Sequence, residues 1–318
     1  MILNLIHNIR VGPFLGLGHF GVRAVLGKDW ARAKFSRNCM SSSTLFVVAT
    51  PIGNLADITM RALDVLREAD IIAAEDTRHT RRLLSRYEID TPLFALHEHN
   101  EEQAAPRLVD KLLSGQSIAL VSDAGTPLLS DPGYRLVRLA AAAEIRVSPI
   151  PGPSAVTAAL SISGLATDRF SFEGFLPSRR SARISQLESL RNSRRSTVLF
   201  ESSHRIMASL EDMEAVLGGD RQAAICREMT KQFETVLRGT LADLRKLVAN
   251  DPDQRKGEFV IVLAAGRNEQ TEDLIKAQEL GAALQEHLSM SQSARVAARI
   301  CGVSRRELYA LMQQGEET

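Results

Sequence analysis

Short apolar segments alternate with amphipathic, helix-like segments from Leu45 onward, and this alternation constrains the fold more than any other feature. The apolar segments predict strands at residues 45–49, 70–74, 93–96, 118–121 and 145–150. Strands separated by a helix pair in parallel, because the chain must return to the same edge before it starts the next strand. The first half of the chain is therefore predicted to form a mostly parallel sheet with flanking helices.

The same alternation continues after residue 165 with a change in connections. Strands are predicted at residues 170–175, 197–201, 222–227, 233–238 and 258–264. A connection of five residues joins the third of these strands to the fourth, which indicates at least one antiparallel hairpin. We therefore predict two α/β domains, at residues 44–165 and 166–266, followed by a helical tail at residues 272–315.

Composition excludes several classes of protein. The chain has 318 residues and is 44% hydrophobic, which is sufficient for two domains with buried cores. Its formal net charge is +1, so a polyanion would have to bind at local basic patches. No apolar run approaches the ~20 residues of a membrane-spanning helix. The three cysteines are far apart and lack Cys-x-x-Cys spacing. We expect a cytoplasmic protein without membrane or metal association.

Residues 1–43 differ from the rest of the chain. Five glycines and Pro13 interrupt any periodicity, and Asp29 supplies the one acidic side chain. We expect an extension outside the fold that is either disordered or encoded upstream of a true start at Met40. Residues 16–21 match G-x-G-x-x-G, but a preceding strand and a later acidic residue are both missing, so nucleotide binding is not expected there.

Every predicted strand of the first domain ends in a polar or Gly/Pro-containing cluster. The clusters are Thr50–Asp57, Glu75–Arg78, His97–Asn100, Ser122–Pro127 and Pro151–Ala155. Each cluster alone is compatible with ordinary turn chemistry. Because the carboxyl ends of parallel strands meet at one edge of a sheet, the five together predict a binding cleft.

Two residues of these clusters are candidates for a general base. The carboxylate of Glu75 or the imidazole of His97 could take a proton from a hydroxyl group. The alternatives are that Glu75 caps the following helix together with Asp76, and that His97 and His99 are surface or packing residues. The His-Glu-His sequence lacks further ligands nearby, so a metal site is not predicted.

Four of these clusters, taken in order together with Ser130–Gly133, resemble the motifs of the tetrapyrrole methylase superfamily, and most closely its ribosomal RNA ribose methyltransferases. The four are Thr50–Leu55, Glu75–Arg78, Ser122–Pro127 and Pro151–Ala155. The resemblance covers roughly residues 44–315 and has no counterpart for the first 43 residues. It implies a homodimer that transfers methyl from S-adenosylmethionine to the ribose 2′-hydroxyl of a cytidine in the decoding region of 16S rRNA. By motif position, it also implies cofactor contacts from Pro51, Asp123, Gly125, Thr126, Ser154 and Ala155.

Basic residues provide candidate contacts to RNA. They crowd the helix-like segment that contains Arg179, Arg180, Arg183, Arg191, Arg194 and Arg195, and they recur at Arg78, Arg81, Arg82 and Arg86. A solvated helix face is the alternative for both groups, and contact with phosphates is the more specific hypothesis. Lys231 is predicted to face the cleft from the second domain.

The end of the chain has the pattern of a helix-turn-helix. A helix ends at Gly302, and Ser304 with Glu307 has the spacing of a capping box for the next helix. Arg305 and Arg306 fall in the first turn of that helix, where such motifs contact nucleic acid, and Leu308 is expected to face the core. The alternative is a helical hairpin used for packing or dimer contacts.

Three functions remain open on these residues. The first is methyl transfer to RNA. The second is methyl transfer to a tetrapyrrole, which does not account for the arginine-rich segment or the tail. The third is a non-catalytic RNA-binding protein of ribosome assembly, which does not account for five loops at one cleft.

Overall fold

The computed structural model describes residues 43–266 and 269–314. The expectations for residues 1–42, including the glycine-rich stretch and the start at Met40, lie outside this part of the chain. The predicted domain boundaries stay predictions, and the elements are described below.

The first sheet has five strands in the order β3-β2-β4-β1-β5. Its strands are β1 (Thr44–Val48), β2 (Ile71–Ala74), β3 (Leu93–Ala95), β4 (Ile118–Val121) and β5 (Arg146–Ile150). Every neighbouring pair is parallel, which confirms the predicted arrangement. All residues of β2 and β4 are buried, as is typical of parallel strands that are covered on both faces.

Helices cover this sheet and return the chain to its starting edge. They are α1 (Met60–Glu68), α2 (Thr77–Arg86), α3 (Glu101–Leu113) and α4 (Tyr134–Ala142), whereas α5 (Ala155–Ser163), which follows the last strand, packs on the second sheet described below. Leu108, Leu112 and Leu136 of α3 and α4 are fully buried in one cluster with Ile118 and Leu120 of the sheet. The carboxyl ends of the strands, and hence the loops that follow them, lie at a single edge.

The second sheet also has five strands, in the order β6-β7-β10-β8-β9. Its strands are β6 (Phe170–Phe175), β7 (Ser196–Ser202), β8 (Gln222–Arg227), β9 (Thr235–Thr240) and β10 (Glu258–Leu263). The pair β6–β7 is parallel and the others are antiparallel, so the expected hairpin is present between β8 and β9. Strand β9 starts two residues later than predicted, since Arg227 Nη1 donates to the carbonyl oxygen of Phe233 (2.8 Å) and holds that residue in the loop.

Two helical layers cover the second sheet. Helices α6 (Arg180–Leu190), α7 (Ile206–Leu217) and α8 (Leu241–Asn250) bury Leu187, Leu210 and Leu244 against it. Helix α5 packs on the opposite face through Val156, Ala159 and Leu160. The helix that follows the last strand of the first sheet therefore covers the second sheet.

Three helices form the tail: α9 (Glu269–Leu284), α10 (Met290–Cys301) and α11 (Arg305–Gln314). Leu308 is fully buried among the alanines of α10, as predicted, and Gly302 ends α10 in the left-handed region (φ +68°). At Ser304 the side chain accepts from Glu307 N at 3.5 Å, and a complete capping box instead begins α10 at Ser289. Across the described residues, we find no helix long and apolar enough to cross a membrane.

Candidate active site between the two sheets

A cavity of about 440 Å³ lies between the strand-end loops of the first sheet and the second sheet. Its first-sheet side is formed by Ile52, Glu75, Asp123–Thr126, Leu129–Asp131 and Ser154–Val156. Its second-sheet side is formed by Phe175, Phe200–Ser203, Cys226, Met229, Lys231 and Gly257–Val260. This volume is within the usual range for sites that enclose a cofactor-sized molecule.

Backbone hydrogen bonds tie the loops of the first-sheet side together. The amide of Thr50 donates to the carbonyl oxygen of Gly125 (2.8 Å). The amide of Gly125 donates in return to the carbonyl oxygen of Thr50 (3.0 Å). Thr126 Oγ1 donates to the carbonyl oxygen of Pro153 (3.2 Å). Gly125 has φ +81°, a conformation that glycine adopts without strain. Three loops are thus held in one fixed arrangement at the cavity.

Three carboxylates lie along this side of the cavity. Burial raises the pKa of Glu75, and the nearby charges of Asp131 and Asp123 raise it further. Burial also raises the pKa of Asp131, against the opposing effect of a hydrogen bond from Ser122. Asp123 Oδ1 accepts from the amide of Asp76 (3.0 Å), which joins the loop after β4 to the loop after β2.

Asp76 caps α2, which bears on the alternative role considered for Glu75. Its Oδ1 accepts from the amide of Arg78 (2.8 Å), and hydrogen bonds from Arg78 lower the pKa of Asp76 to about 2. Among the described residues, Asp76 alone supplies the cap of α2, and Glu75 lines the cavity. The structure therefore gives Glu75 no capping role.

Lys231 contacts two carboxylates on the second-sheet side. Its Nζ lies 3.0 Å from Glu228 Oε1 and 3.0 Å from Glu258 Oε2. Burial alone would lower the pKa of Lys231, but hydrogen bonds to Glu228 and Glu258 outweigh burial and raise it. The amine is therefore a protonated ammonium at neutral pH, not a proton acceptor.

Buried groups complete this wall of the cavity. The Glu201 carboxylate accepts from Ser202 N (2.8 Å) and from Ser209 Oγ, and it lies 3.4 Å from Arg205 Nε. Burial raises the pKa of the Cys226 thiol to about 11, so the group is a protonated thiol at neutral pH and a poor nucleophile.

Most of the residues predicted from the strand-end clusters are together at this cavity. Glu75, Asp123, Gly125, Thr126, Ser154, Ala155 and Lys231 line it. Pro51 is buried, precedes the lining residue Ile52 and is not itself part of the lining. His97 does not line the cavity either, because β3 is the outermost strand of its sheet. Its ring packs edge-on against that of His99, with centroids 6.1 Å apart.

Lys231 lines the cavity with a side chain that is 29% exposed, and the other predicted RNA contacts lie on the surface. One residue of the wider basic group is an exception. Arg179, Arg305 and Arg306 are exposed. Arg78 is 89% exposed and pairs with Asp76, and Arg180 is 74% exposed and pairs with Asp212. Arg183 is buried, with Nε donating to Asp212 Oδ2 (2.8 Å), so its assignment to a phosphate-binding surface is wrong. A metal-binding group of three or more candidate side chains was not found among residues 43–266 and 269–314.

A family model described as Tetrapyrrole (Corrin/Porphyrin) Methylases matches residues 44–245, and one described as RsmI C-terminal HTH domain matches residues 271–315. The first match covers more than half of the chain, which therefore belongs to the tetrapyrrole methylase family and is a methyltransferase. Within that family the chain is similar to proteins named Ribosomal RNA small subunit methyltransferase I, which confirms the resemblance found from its motifs.

These relatives match the chain over nearly their whole lengths. The protein from Xylella fastidiosa is 53% identical over 266 residues, covering 84% of this chain and 97% of the relative. The protein from Pseudomonas aeruginosa is 48% identical over 281 residues, covering 87% of this chain and all of the relative. The protein from Escherichia coli O157:H7 is 50% identical over 278 residues, covering 86% and 97%.

Solved structures confirm the fold. A cobalt precorrin-4 methyltransferase aligns with a TM-score of 0.53 at 18% identity, covering 71% of this chain and 96% of its own. A diphthine synthase aligns with a TM-score of 0.52 at 21% identity, covering 70% and 90%. At these identities the likeness concerns the α/β architecture.

Proposed function

We propose that this methyltransferase uses S-adenosylmethionine to methylate the ribose 2′-hydroxyl of a cytidine in the decoding region of 16S rRNA. The observation that carries the proposal is the extent of the match to relatives named as ribosomal RNA small subunit methyltransferases. The match spans 97% of the Xylella fastidiosa protein. A separate family model matches the tail at residues 271–315. A methylase acting on a small tetrapyrrole gives no role to a tail that presents exposed arginines such as Arg305 and Arg306.

The cavity suits the proposed cofactor. Gly125 and Ala155 leave backbone groups accessible, while Asp123 and Glu75 place negative charge near a cationic ligand. Helix α5 points its amino end at the cavity, an arrangement that favours a carboxylate. Ser154 is the N-cap residue of α5, and within the described residues its side chain makes no capping hydrogen bond to that helix. S-adenosylmethionine, when bound, supplies a methyl group on a positively charged sulfur.

The chain's own residues then need to bind, orient and accept a proton. We propose that Asp123, Gly125, Thr126, Ser154 and Ala155 contact the cofactor, with the buried Pro51 in the adjoining loop after β1. Glu75 is the favoured acceptor for the ribose proton, since its raised pKa lies closer to neutral than that of an ordinary carboxylate. His97 would have to act from outside the cavity lining, which makes it the weaker candidate. Fixed positioning of the two reactants can supply ~7–11 kcal/mol, more than a base contributes.

Glu75→Gln is expected to lower kcat by about 10²–10⁴-fold if Glu75 is the base. In the wild-type enzyme, kcat should fall as pH drops through the raised pKa of Glu75, at a higher pH than an ordinary carboxylate with pKa 4.5 would give. The amide variant should lack this acidic limb. A kcat–pH profile of both proteins checks the assignment, and an unchanged profile in Glu75→Gln would exclude Glu75.

The same raised pKa makes a separate prediction for stability. A carboxyl group whose pKa is raised by folding contributes stability at pH below its unfolded pKa and loses that contribution as pH rises through its folded pKa. Ionisation of Glu75 therefore opposes folding, so Glu75→Gln should melt at or above the wild-type temperature once the pH exceeds the raised pKa. A catalytic loss together with retained stability separates a chemical role from a structural one.

Arg305→Ala/Arg306→Ala is expected to weaken RNA binding and lower the slope of log affinity against log salt by about one to two units. Both side chains are exposed and lie outside the tail core around Leu308, so the core should stay intact although the variant loses the hydrogen bond from Arg305 Nη2 to Ser291 Oγ (3.1 Å). RNA affinity measured at several salt concentrations checks this.

Arg107→Ala/Arg146→Ala is a charge-matched comparison, since these exposed arginines lie on α3 and at the amino end of β5, away from the cavity lining. It should leave the slope unchanged. An unchanged slope in the tail variant as well would show that the tail does not bind RNA, and a change in dimerisation would support the packing alternative.

We also propose that the enzyme is a cytoplasmic homodimer that acts on the small ribosomal subunit, with Arg78, Arg179, Arg180 and Lys231 as further RNA contacts. Of these, Lys231 is the weakest candidate because two carboxylates neutralise it. A homodimer should elute from size-exclusion chromatography at twice the mass of the chain, whereas a single-chain mass would contradict this part of the proposal.

Methyl transfer to three acceptors tests the function. Radiolabelled S-adenosylmethionine is supplied with small subunits that lack the modification, with naked 16S rRNA, or with a precursor tetrapyrrole. We expect label in rRNA and none in the tetrapyrrole. Label in the tetrapyrrole would establish the small-molecule alternative. Cofactor binding by calorimetry without transfer to any acceptor would contradict the proposal.

A further inference from the structure

Phe175 is an exposed aromatic residue at the edge of the candidate active site. It ends β6, lines the cavity and remains 52% exposed. Its ring packs edge-on against Phe200, with ring centroids 5.6 Å apart and an interplanar angle of 67°. Phe200 also lines the cavity, so one edge of the Phe175 ring is supported while much of its surface faces solvent.

The backbone that follows Phe175 is held by two arginines. Arg205 Nη2 donates to the carbonyl oxygens of Leu176 and Pro177, and Arg183 Nη1 donates to those of Pro177 (3.3 Å) and Ser178 (3.2 Å). The Leu176 side chain is 1% exposed. Phe175 therefore projects from a segment that hydrogen bonds hold in place. Its ring is exposed because the position of this segment is fixed.

The end of β6 lies against the first-sheet side of the cavity. A Cβ placed on Gly174 would lie 3.1 Å from Ser130 Oγ, which shows how closely β6 approaches the loop after β4. Leu129 in that loop also lines the cavity and is 39% exposed. Exposed apolar groups from both sides thus occur together at the same cavity.

A cofactor can be enclosed without the exposed face of Phe175. Cys226, Met229 and Val260 provide buried apolar lining deeper in the cavity. The exposed ring is available to a molecule that arrives from solvent. Four residues further along, Arg179 is exposed at the start of α6, and we find no ion pair for it within the described chain. An accessible aromatic face and an accessible guanidinium, here four residues apart in the chain, are the groups that bind an unstacked base and its phosphate.

We propose that Phe175 is the stacking surface for the target pyrimidine base, and that it thereby positions the ribose at the cavity. The inference rests on the proposed function and extends it to substrate recognition. A base splayed out of an RNA helix loses its stacking partners, and an aromatic side chain replaces them. Because stacking is insensitive to which base is bound, Phe175 is a positioning residue, not the source of selectivity for cytosine.

Phe175→Ala is expected to lower kcat/KM for methyl-deficient small subunits about five- to 150-fold, which is the effect of the ~1–3 kcal/mol of one base–aromatic stack. Cofactor affinity measured by calorimetry should be unchanged. Phe175→Tyr and Phe175→Trp should restore kcat/KM, since both retain a planar ring. Phe175→Leu should not, since it retains apolar volume without a ring.

Phe170→Ala is the matched comparison. Phe170 begins the same strand, is 43% exposed and does not line the cavity, so its loss should leave kcat/KM unchanged. Melting temperatures of all variants check that each is folded.

Three outcomes would overturn the inference. Wild-type kcat/KM in Phe175→Ala or Phe175→Leu would show that no stacking occurs. If Phe175→Ala lost as much cofactor affinity as kcat/KM, the ring would be a contact of the cofactor and not of the base. In both cases the proposed function would stand, provided that the wild-type enzyme methylates the subunits. Absence of methylation by the wild-type enzyme would reject the proposed function and this inference together.

Discussion

Gly53→Ala is expected to weaken S-adenosylmethionine binding roughly five- to 150-fold, the equivalent of the ~1–3 kcal/mol typical of overpacking. Gly53 lies in the loop after β1, where a new Cβ would meet the carbonyl oxygen of Met229 at 2.8 Å, Thr230 Oγ1 at 2.8 Å and Lys231 Cγ at 2.5 Å. Relief of these contacts requires the two sides of the cavity to move apart.

The opposing segment cannot yield easily. The amide of Lys231 donates to the carbonyl oxygen of Glu228 (3.0 Å), and the amide of Thr230 donates to Glu234 Oε2 (2.6 Å). Glu228 and Thr230 both have positive φ, an arrangement in non-glycine residues that the surroundings must enforce. The added methyl group should therefore displace lining residues at the cavity.

Gly115→Ala provides the comparison for this prediction. It also adds one methyl group, and no heavy atom lies within 4 Å of the new Cβ. Gly115 has φ +95°, so this variant should lose some stability to backbone strain and retain cofactor affinity. Calorimetric titration of both variants checks the pair. Wild-type affinity in Gly53→Ala would show that the sides of the cavity are not closely packed at this loop.

Asp212→Ala is expected to destabilise the fold by about 3–5 kcal/mol, because it leaves a buried arginine without its counter-charge. The side chains of Asp212 and Arg183 are 3% and 6% exposed, and Arg183 Nη2 lies 2.7 Å from Asp212 Oδ2. Burial alone would raise the pKa of Asp212, but hydrogen bonds from Arg180 and Arg183 outweigh it and lower the pKa. This stabilisation should be present at neutral pH and disappear as pH falls through the lowered pKa.

Two further variants isolate the buried pair. Arg180→Ala removes the partner that is 74% exposed and should change the free energy of unfolding by no more than about 1 kcal/mol. Arg183→Met/Asp212→Leu removes both buried charges and should recover most of the loss. Urea unfolding of the three variants measures these differences. Equal stability of Asp212→Ala and the wild type would show that solvent reaches Arg183.

The first-sheet side of the candidate active site could be predicted because its signals are local. The run Ile118–Val121 is uninterrupted and apolar, and the loop that follows contains Gly125 and Pro127. In a parallel sheet, strand ends fall at one edge irrespective of strand order. His97 shows the limit of this rule, since its loop shares the edge but follows the outermost strand.

The second-sheet side could not be predicted in the same way. Its strands are mostly antiparallel, so consecutive loops fall at opposite edges and no periodic feature indicates which of them reach the cavity. Phe175 has the sequence context of an ordinary strand residue. The burial of Arg183 depends on Asp212, 29 residues away on another helix. Such contacts are set by packing between elements.

The most direct test of the proposed function is the chemical identity of the methylated nucleoside. Methyl-deficient small subunits are incubated with the enzyme and S-adenosylmethionine carrying a deuterated methyl group, and the 16S rRNA is digested to nucleosides for mass spectrometry. The account predicts label in 2′-O-methylcytidine with the wild-type enzyme and, at the same cofactor concentration held below the wild-type Kd, a much lower initial rate of labelling with Gly53→Ala. Label on a base, on another nucleoside, or equally in both enzymes would contradict it.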